Sequence, residues 1–326
     1  MYQANVPLEN LTPGKYSLQA TASTETEDLP GQIVNFYLSY PMYVAWTIDW
    51  EGYDENDTNL EALASISSEY EVPLTHFLHP RIYIAEEVSE ERADYLSAWI
   101  RSRLEPVGLH LHMQKDYVKA AGVEPKEAPR WAKFKENDGY DIPTSEYSYE
   151  EIKKMVKYGV DLIRSNGLGT PTMYRAGGWF ANKDVLQALE DLNFKLDSSG
   201  RKPENWWSGY SNIWNLEETT QPYKPSKENQ NLSFKPAYNF FEFPNNGGDS
   251  TSYDTSELID KFDANFDEGP LEEKRIVTYI SHPRWFDVDG PKMKEVFKYI
   301  NNFSYTEDAG PVVYITLEEA LNVWSK

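Results

Sequence analysis

The chain reads as an α/β protein whose mostly parallel sheet closes, or nearly closes, into a (β/α) barrel, with a short β-rich piece in front of it. Two observations carry that expectation. From Tyr43 onward, apolar strand-like runs alternate with amphipathic helical ones, which is the pattern of successive β/α units. The length of 326 residues suits this, since α/β barrels run larger than the usual domain.

The elements follow in chain order. Residues 1–40 hold "LTPGKYSLQATAS" and "GQIVNFYLSY", two alternating runs around an acidic turn. They read as a β-hairpin or a remnant of an upstream β-sandwich, because a lone hairpin is marginally stable. Residues 41–326 form the barrel domain. Its strand-like runs are "YVAWTIDW", "VPLTHFLH", "VGLHLHM", "TPTMYRA", "FKLDS", "FFEFP", "RIVTYISH" and "PVVYITL". Helical patterns lie between most of them, and several are punctuated: Ser89 and Ser148 as N-caps before acidic first turns, Gly167 as a C-terminal glycine. Two connections, 114–147 and 198–239, are too long for simple loops. In a barrel, long loops that follow strands belong to the active-site face.

Composition narrows the function. Fifty-three acidic residues against 31 basic ones give a net charge of −22, which repels nucleic acid and anionic membranes. No apolar run reaches the roughly 18 residues of a membrane span. The first residues lack the basic and apolar regions of a signal peptide, so an upstream segment is expected to be missing. The absence of cysteine removes disulfides, thiolate nucleophiles and Cys-ligated metals. The 10 Trp and 23 Tyr fall largely in loops, where they suit sugar faces or ordinary loop packing.

The polar residues within the strands are the most informative. Period-two alternation in "YVAWTIDWEG" puts Val44, Trp46, Ile48 and Trp50 on one face and Ala45, Thr47, Asp49 and Glu51 on the other. In "VGLHLHM" it puts His110 and His112 opposite Leu109 and Leu111. All five histidines, at 76, 79, 110, 112 and 282, lie in or just after strand-like runs, where catalytic groups of a barrel collect. Two imidazoles and a carboxylate make a facial set for Zn²⁺ or another divalent metal with open positions. A second carboxylate can then act as general base. The spacing leaves open which of Asp49 and Glu51 does which.

These residues resemble a known family, the polysaccharide deacetylases of carbohydrate esterase family 4, or NodB-homology domain, in a divergent form. "TIDWEG" resembles the first motif, whose acids are base and metal ligand. "GLHLH" is similar to the second, which supplies two metal-binding histidines, although Gln114 stands where the family's second histidine falls. "YRAGGW" resembles the third, with Arg175 orienting the base. "LDSSG" is similar to the fourth, whose acid, here Asp197, tunes the catalytic histidine. "YISHPRW" resembles the fifth, which supplies that histidine, here His282.

The resemblance implies a distorted (β/α) barrel of seven or eight mostly parallel strands. It also implies a metal-dependent hydrolase that removes acetyl groups from N-acetylated, or as second choice O-acetylated, polysaccharides or oligosaccharides. One divalent ion, Zn²⁺ first and Co²⁺, Ni²⁺ or Mn²⁺ after it, would be held by Glu51, His110 and His112. Asp49 would be the base, positioned by Arg175, and His282 the acid, kept protonated by Asp197. Tyr174, Trp179, His79, Trp206 and Trp207 are candidates to bind substrate. Tyr210 and Trp214 lie in the same aromatic loop as the last two, and His76 suits packing. The chain is expected to be a monomer, extracellular or at the cell surface.

Each residue also has a plainer reading: Arg175 a strand-end salt bridge, Asp197 a turn residue, His282 a satisfied core histidine. Two other functions compete. One is a non-catalytic carbohydrate-binding protein on the same barrel. The other is a glycosidase using Asp49 and Glu51, same-face neighbours roughly 6.5 to 7 Å apart, as its carboxylate pair; that reading leaves the histidines unexplained.

Overall fold

A computed structural model describes residues 7–8, 10–23, 28–203 and 213–326. The N-terminal piece is an antiparallel hairpin of β1 (Gly14–Ser23) and β2 (Asp28–Leu38). It shows apolar side chains on both faces, since the adjacent Ile33 and Val34 are both exposed. The chain joins the main domain at Ser39 and Tyr40, which exchange hydrogen bonds with the backbone of Leu271.

The main sheet is built from parallel pairs among β3 (Met42–Trp50), β4 (Leu74–Leu78), β5 (Val107–Leu111), β6 (Met173–Ala176), β7 (Leu196–Asp197), β8 (Phe241–Glu242), β9 (Gly248–Asp249), β10 (Arg275–Ser281) and β11 (Val312–Tyr314). Their spatial order is β8-β7-β6-β5-β4-β3-β10-β9, with β11 alongside the start of β3. The eight strand-like runs of the sequence are all present, and β9 is an addition to them. One continuous stretch serves both edges: Phe243 N–H donates to Asp197 of β7, and Gly247 N–H to Thr278 of β10. The sheet is thus a distorted barrel closed across its gap by a single run of chain.

Seven helices stand where periodicity places them: α1 (Asp57–Glu69), α2 (Glu90–Arg103), α4 (Tyr149–Ser165), α5 (Lys183–Asp191), α6 (Thr255–Asn265), α7 (Phe286–Ile300) and α8 (Leu317–Trp324). A short α3 (Lys115–Ala120) opens the first long connection. Ser148 and Glu151 form a capping box on α4, Ser89 accepts from Arg92 N–H on α2, and Gly167 takes φ +77° after α4.

Alternation in the strands produces two cores. Val44, Trp46, Ile48 and Trp50 face the helices and join the large outer core. Ala45, Phe77, Met173, Leu196 and Ile276 face inward and form a second core inside the barrel. Leu317 and Ala320 of α8 plug its base, where Leu317 N–H donates to Thr75 Oγ1 at 2.9 Å. The polar groups of the same inward faces lie above this floor, at the C-terminal ends of the strands, where barrel enzymes keep their chemistry.

Candidate active site and metal centre

The inward face of β3 supplies Thr47 and Asp49, and Glu51 follows at its end; all three are buried. Arg175 of β6, fully buried, reaches across to Asp49 Oδ1 at 2.6 Å and Thr47 Oγ1 at 2.7 Å. Its other nitrogens donate to Ser198, and its guanidinium lies over the Phe77 ring at 4.3 Å. A buried guanidinium held at this many points keeps the Asp49 carboxylate in one orientation.

Glu51, His110 and His112 converge as a group whose ligand atoms lie within 4.8 Å of one another. His110 Nδ1 faces the Arg175 carbonyl at 3.0 Å, and His112 Nδ1 faces the Tyr140 carbonyl at 2.9 Å. A carbonyl only accepts, so each Nδ1 carries a proton and Nε2 is the atom each ring turns to the centre. Both Nε2 atoms face Glu51 Oε2, at 2.9 Å from His112 and 3.7 Å from His110. Glu51 Oε2 and His110 Nε2 are buried without a hydrogen-bond partner. Burial pushes the Glu51 carboxyl up, but the imidazoles of His112, His110 and His282 outweigh it and hold the group well below the usual range. Two imidazole nitrogens gathered on an ionised carboxylate, with orienting carbonyls behind them, fit a divalent cation. The geometry groups Glu51 with the histidines and leaves Asp49 to Arg175.

His282 follows β10 and faces the same centre, with Nε2 3.2 Å from Glu51 Oε1. Its Nδ1 lies 3.1 Å from Thr251 Oγ1 and 3.6 Å from Asp249 Oδ1. Burial disfavours the imidazolium, but the charges of Asp249 and Glu51 prevail and push its pKa up to about 10.

Three sequence expectations are corrected. Asp197 does not serve His282: it sits on β7 beside Glu242 of β8, and the carboxylate that faces His282 is Asp249 of β9. β9 pairs through only Gly248 and Asp249, too short a run for periodicity to reveal, so "NNGGDS" gave no signal beyond an acid after two glycines. Tyr174 is fully buried against Phe194; it neighbours Arg175 on a strand and so points outward to the helices. His79 is also fully buried, with Nε2 2.7 Å from Gln114 Oε1 and Nδ1 accepting from Arg81 N–H, which ties two loops together and keeps it from the cleft. Gln114 in turn donates to the Glu51 carbonyl.

His76 packs between Trp50 and Trp99 and contacts Glu105, in line with its expected role. Trp214 is buried. Trp206, Trp207 and Tyr210 lie outside the described residues. Trp179 does line the cleft, a cavity of about 350 Å³ that also touches Asp49, Glu51, His110, His112 and His282. The connection after β5 adds Trp131, Phe134 and Tyr140 to its walls, and Trp285, after β10, lines it too. Tyr140 stacks flat on His112, centroids 3.9 Å apart at 7°. These aromatics were missed because nothing local to 114–147 says which of its rings turn inward.

No protein-family model matches the chain, and no curated protein sequence matches it. Among solved structures, a protein assigned as a polysaccharide deacetylase from Mycobacterium smegmatis superposes with a TM-score of 0.56 at 13% identity, over 89% of this chain and 92% of that one. A carbohydrate esterase family 4 domain of a multidomain xylanase, from the hindgut metagenome of Trinervitermes trinervoides, gives 0.46 at 9% identity, over 87% and 92%. A 4-alpha-glucanotransferase from Thermococcus litoralis gives 0.49 at 12% identity, over 87% of this chain and 40% of that one.

Proposed function

We propose that this chain, which has the fold of the mycobacterial protein assigned as a polysaccharide deacetylase, is a divergent member of the family 4 carbohydrate esterases and removes acetyl groups from an N-acetylated polysaccharide or oligosaccharide. The observation that carries the reading is the convergence, in one aromatic-walled cleft, of a His-His-Glu donor set, an Asp–Arg pair and a carboxylate-backed histidine. Glu51, His110 and His112 would hold one divalent ion, Zn²⁺ by the donor types; when bound it supplies Lewis acidity and a more acidic water.

The chain's own groups do the rest. Asp49, held by Arg175, takes the proton of the attacking water. His282, kept as imidazolium by Asp249 and Glu51, gives its proton to the leaving nitrogen. Trp131, Phe134, Trp179 and Trp285 offer flat apolar faces to sugar rings. A polymer of this kind carries with it an extracellular or cell-surface site of action.

Acetate release from a panel of N- and O-acetylated oligosaccharides, with and without chelator, tests the reading. Wild-type protein is expected to release acetate, to stop with chelator and to resume with Zn²⁺. Asp49→Asn is expected to keep the metal and lose about 10²- to 10⁴-fold in kcat. His110→Ala is expected to lose the metal itself, measured by elemental analysis. A metal-loaded wild type that releases no acetate from any member of the panel would sink the reading.

A further inference from the structure

The tetrahedral centre formed by water addition places negative charge on the former acetyl oxygen, and that charge calls for a preorganised donor besides any cation. Within the Arg175 segment one backbone donor is already committed: Ala176 N–H donates to Ser199 Oγ at 3.0 Å. We propose that the Tyr140 hydroxyl is the donor that this chain supplies, an inference that rests on the deacetylase reading above.

Four observations carry it. The Tyr140 ring lies parallel to His112 at 3.9 Å, beside a member of the donor cluster. Its side chain lines the cleft together with Asp49, Glu51 and His282, with the Glu51 charge among those that act on its hydroxyl. The residue is held from behind: its carbonyl accepts from His112 Nδ1, its N–H donates to Asp138 Oδ1 at 3.0 Å, and Tyr53 donates to Asp138 Oδ2 at 3.0 Å. The connection that carries it is itself braced, with Asp141 accepting from Arg130 Nε at 2.7 Å and from Phe134 N–H at 3.0 Å. A donor fixed this way costs little reorganisation when charge develops.

The step balances without a further reactant. The water oxygen bonds to the carbonyl carbon, the C=O π pair moves onto oxygen, and Asp49 receives the water proton. Tyr140 donates a hydrogen bond to the new oxyanion and keeps its own proton. On collapse the pair returns, the C–N bond breaks, and the nitrogen takes the His282 proton.

The test compares Tyr140→Phe, which keeps the ring and the carbonyl, with Tyr140→Leu, which loses the stack as well. For Tyr140→Phe the expected result is a fall in kcat of about 10²-fold, with KM and calorimetric Zn²⁺ affinity of the metal-stripped protein each within about threefold of wild type. For Tyr140→Leu, Zn²⁺ affinity also falls, by about tenfold. Wild-type kcat in Tyr140→Phe overturns the proposal, as does a loss of Zn²⁺ affinity in that variant that accounts for the lost rate. A wild type that binds Zn²⁺ and releases no acetate overturns the deacetylase reading together with this one, whereas an active wild type with an unimpaired Tyr140→Phe overturns this one alone.

Discussion

Glu51 and Asp49 are two residues apart on one strand face, yet their neighbours give them opposite roles. Arg175 fastens one, and the Nε2 atoms of two histidines face the other. What keeps His112 in that pose includes a residue with no side chain: a Cβ on Gly177 would come within 2.6 Å of the His112 ring. Gly177→Ala is therefore expected to push the imidazole off its bond to the Tyr140 carbonyl and to lower Zn²⁺ affinity by about 10- to 100-fold, read by calorimetry, in a protein that still folds. His110, His112, Asp49, Glu51 and Arg175 were legible in the sequence because strand alternation aims them inward. The parts of Tyr174 and His79 were misread for the opposite reason: their backbone positions border the site, while alternation and a loop-to-loop hydrogen bond turn their side chains away.

At the scale of elements, the strands and helices set in an apolar run were legible, the two-residue β7 and β8 among them, and the two-residue β9 was not. β3 and β10 are long enough for period two to show, and each delivers a group to the cleft. β9 has no such run, but its register, Ile280 against Asp249, sets a carboxylate beside His282. Asp249→Asn is accordingly expected to lower kcat by about 10- to 10²-fold. The sign of the pH effect follows from charge. Asp249 stabilises the imidazolium, so without it His282 loses its proton at a lower pH, and the alkaline limb of the rate profile is expected to move toward neutrality in a pH series with saturating Zn²⁺.

Across the whole molecule, the net charge of −22 makes buried acids costly, and the barrel contains a pair of them: Asp197 and Glu242, opposite one another on β7 and β8 and both fully buried. Burial raises both carboxyls, Asp197 to about 6 and Glu242 well above its usual range, so the folded pair retains proton that the unfolded chain releases. The stability this contributes is complete below the ordinary carboxylate range and is lost as pH rises through about 6 and beyond. Glu242→Gln keeps an acceptor for Gly200 N–H and removes one ionisation, and is expected to be more stable than wild type near neutral pH, with a flatter dependence on pH in denaturant titrations from about pH 5 to 8.

The sequence by itself determined the alternation of strands and helices, the direction in which each strand points its polar groups, and hence the joint placement of two acids, two histidines and an arginine in one barrel mouth. These are local properties: a period of two or 3.6 is written in neighbouring residues. Only the tertiary structure decided which acid meets which base. Asp249 rather than Asp197 faces His282, and Tyr140 rather than an aromatic of a strand motif lies over His112. Such pairings depend on where the chain crosses the barrel gap between β8 and β9, and on how a long connection folds back over the cleft, and neither leaves a periodic trace in the residues that do it.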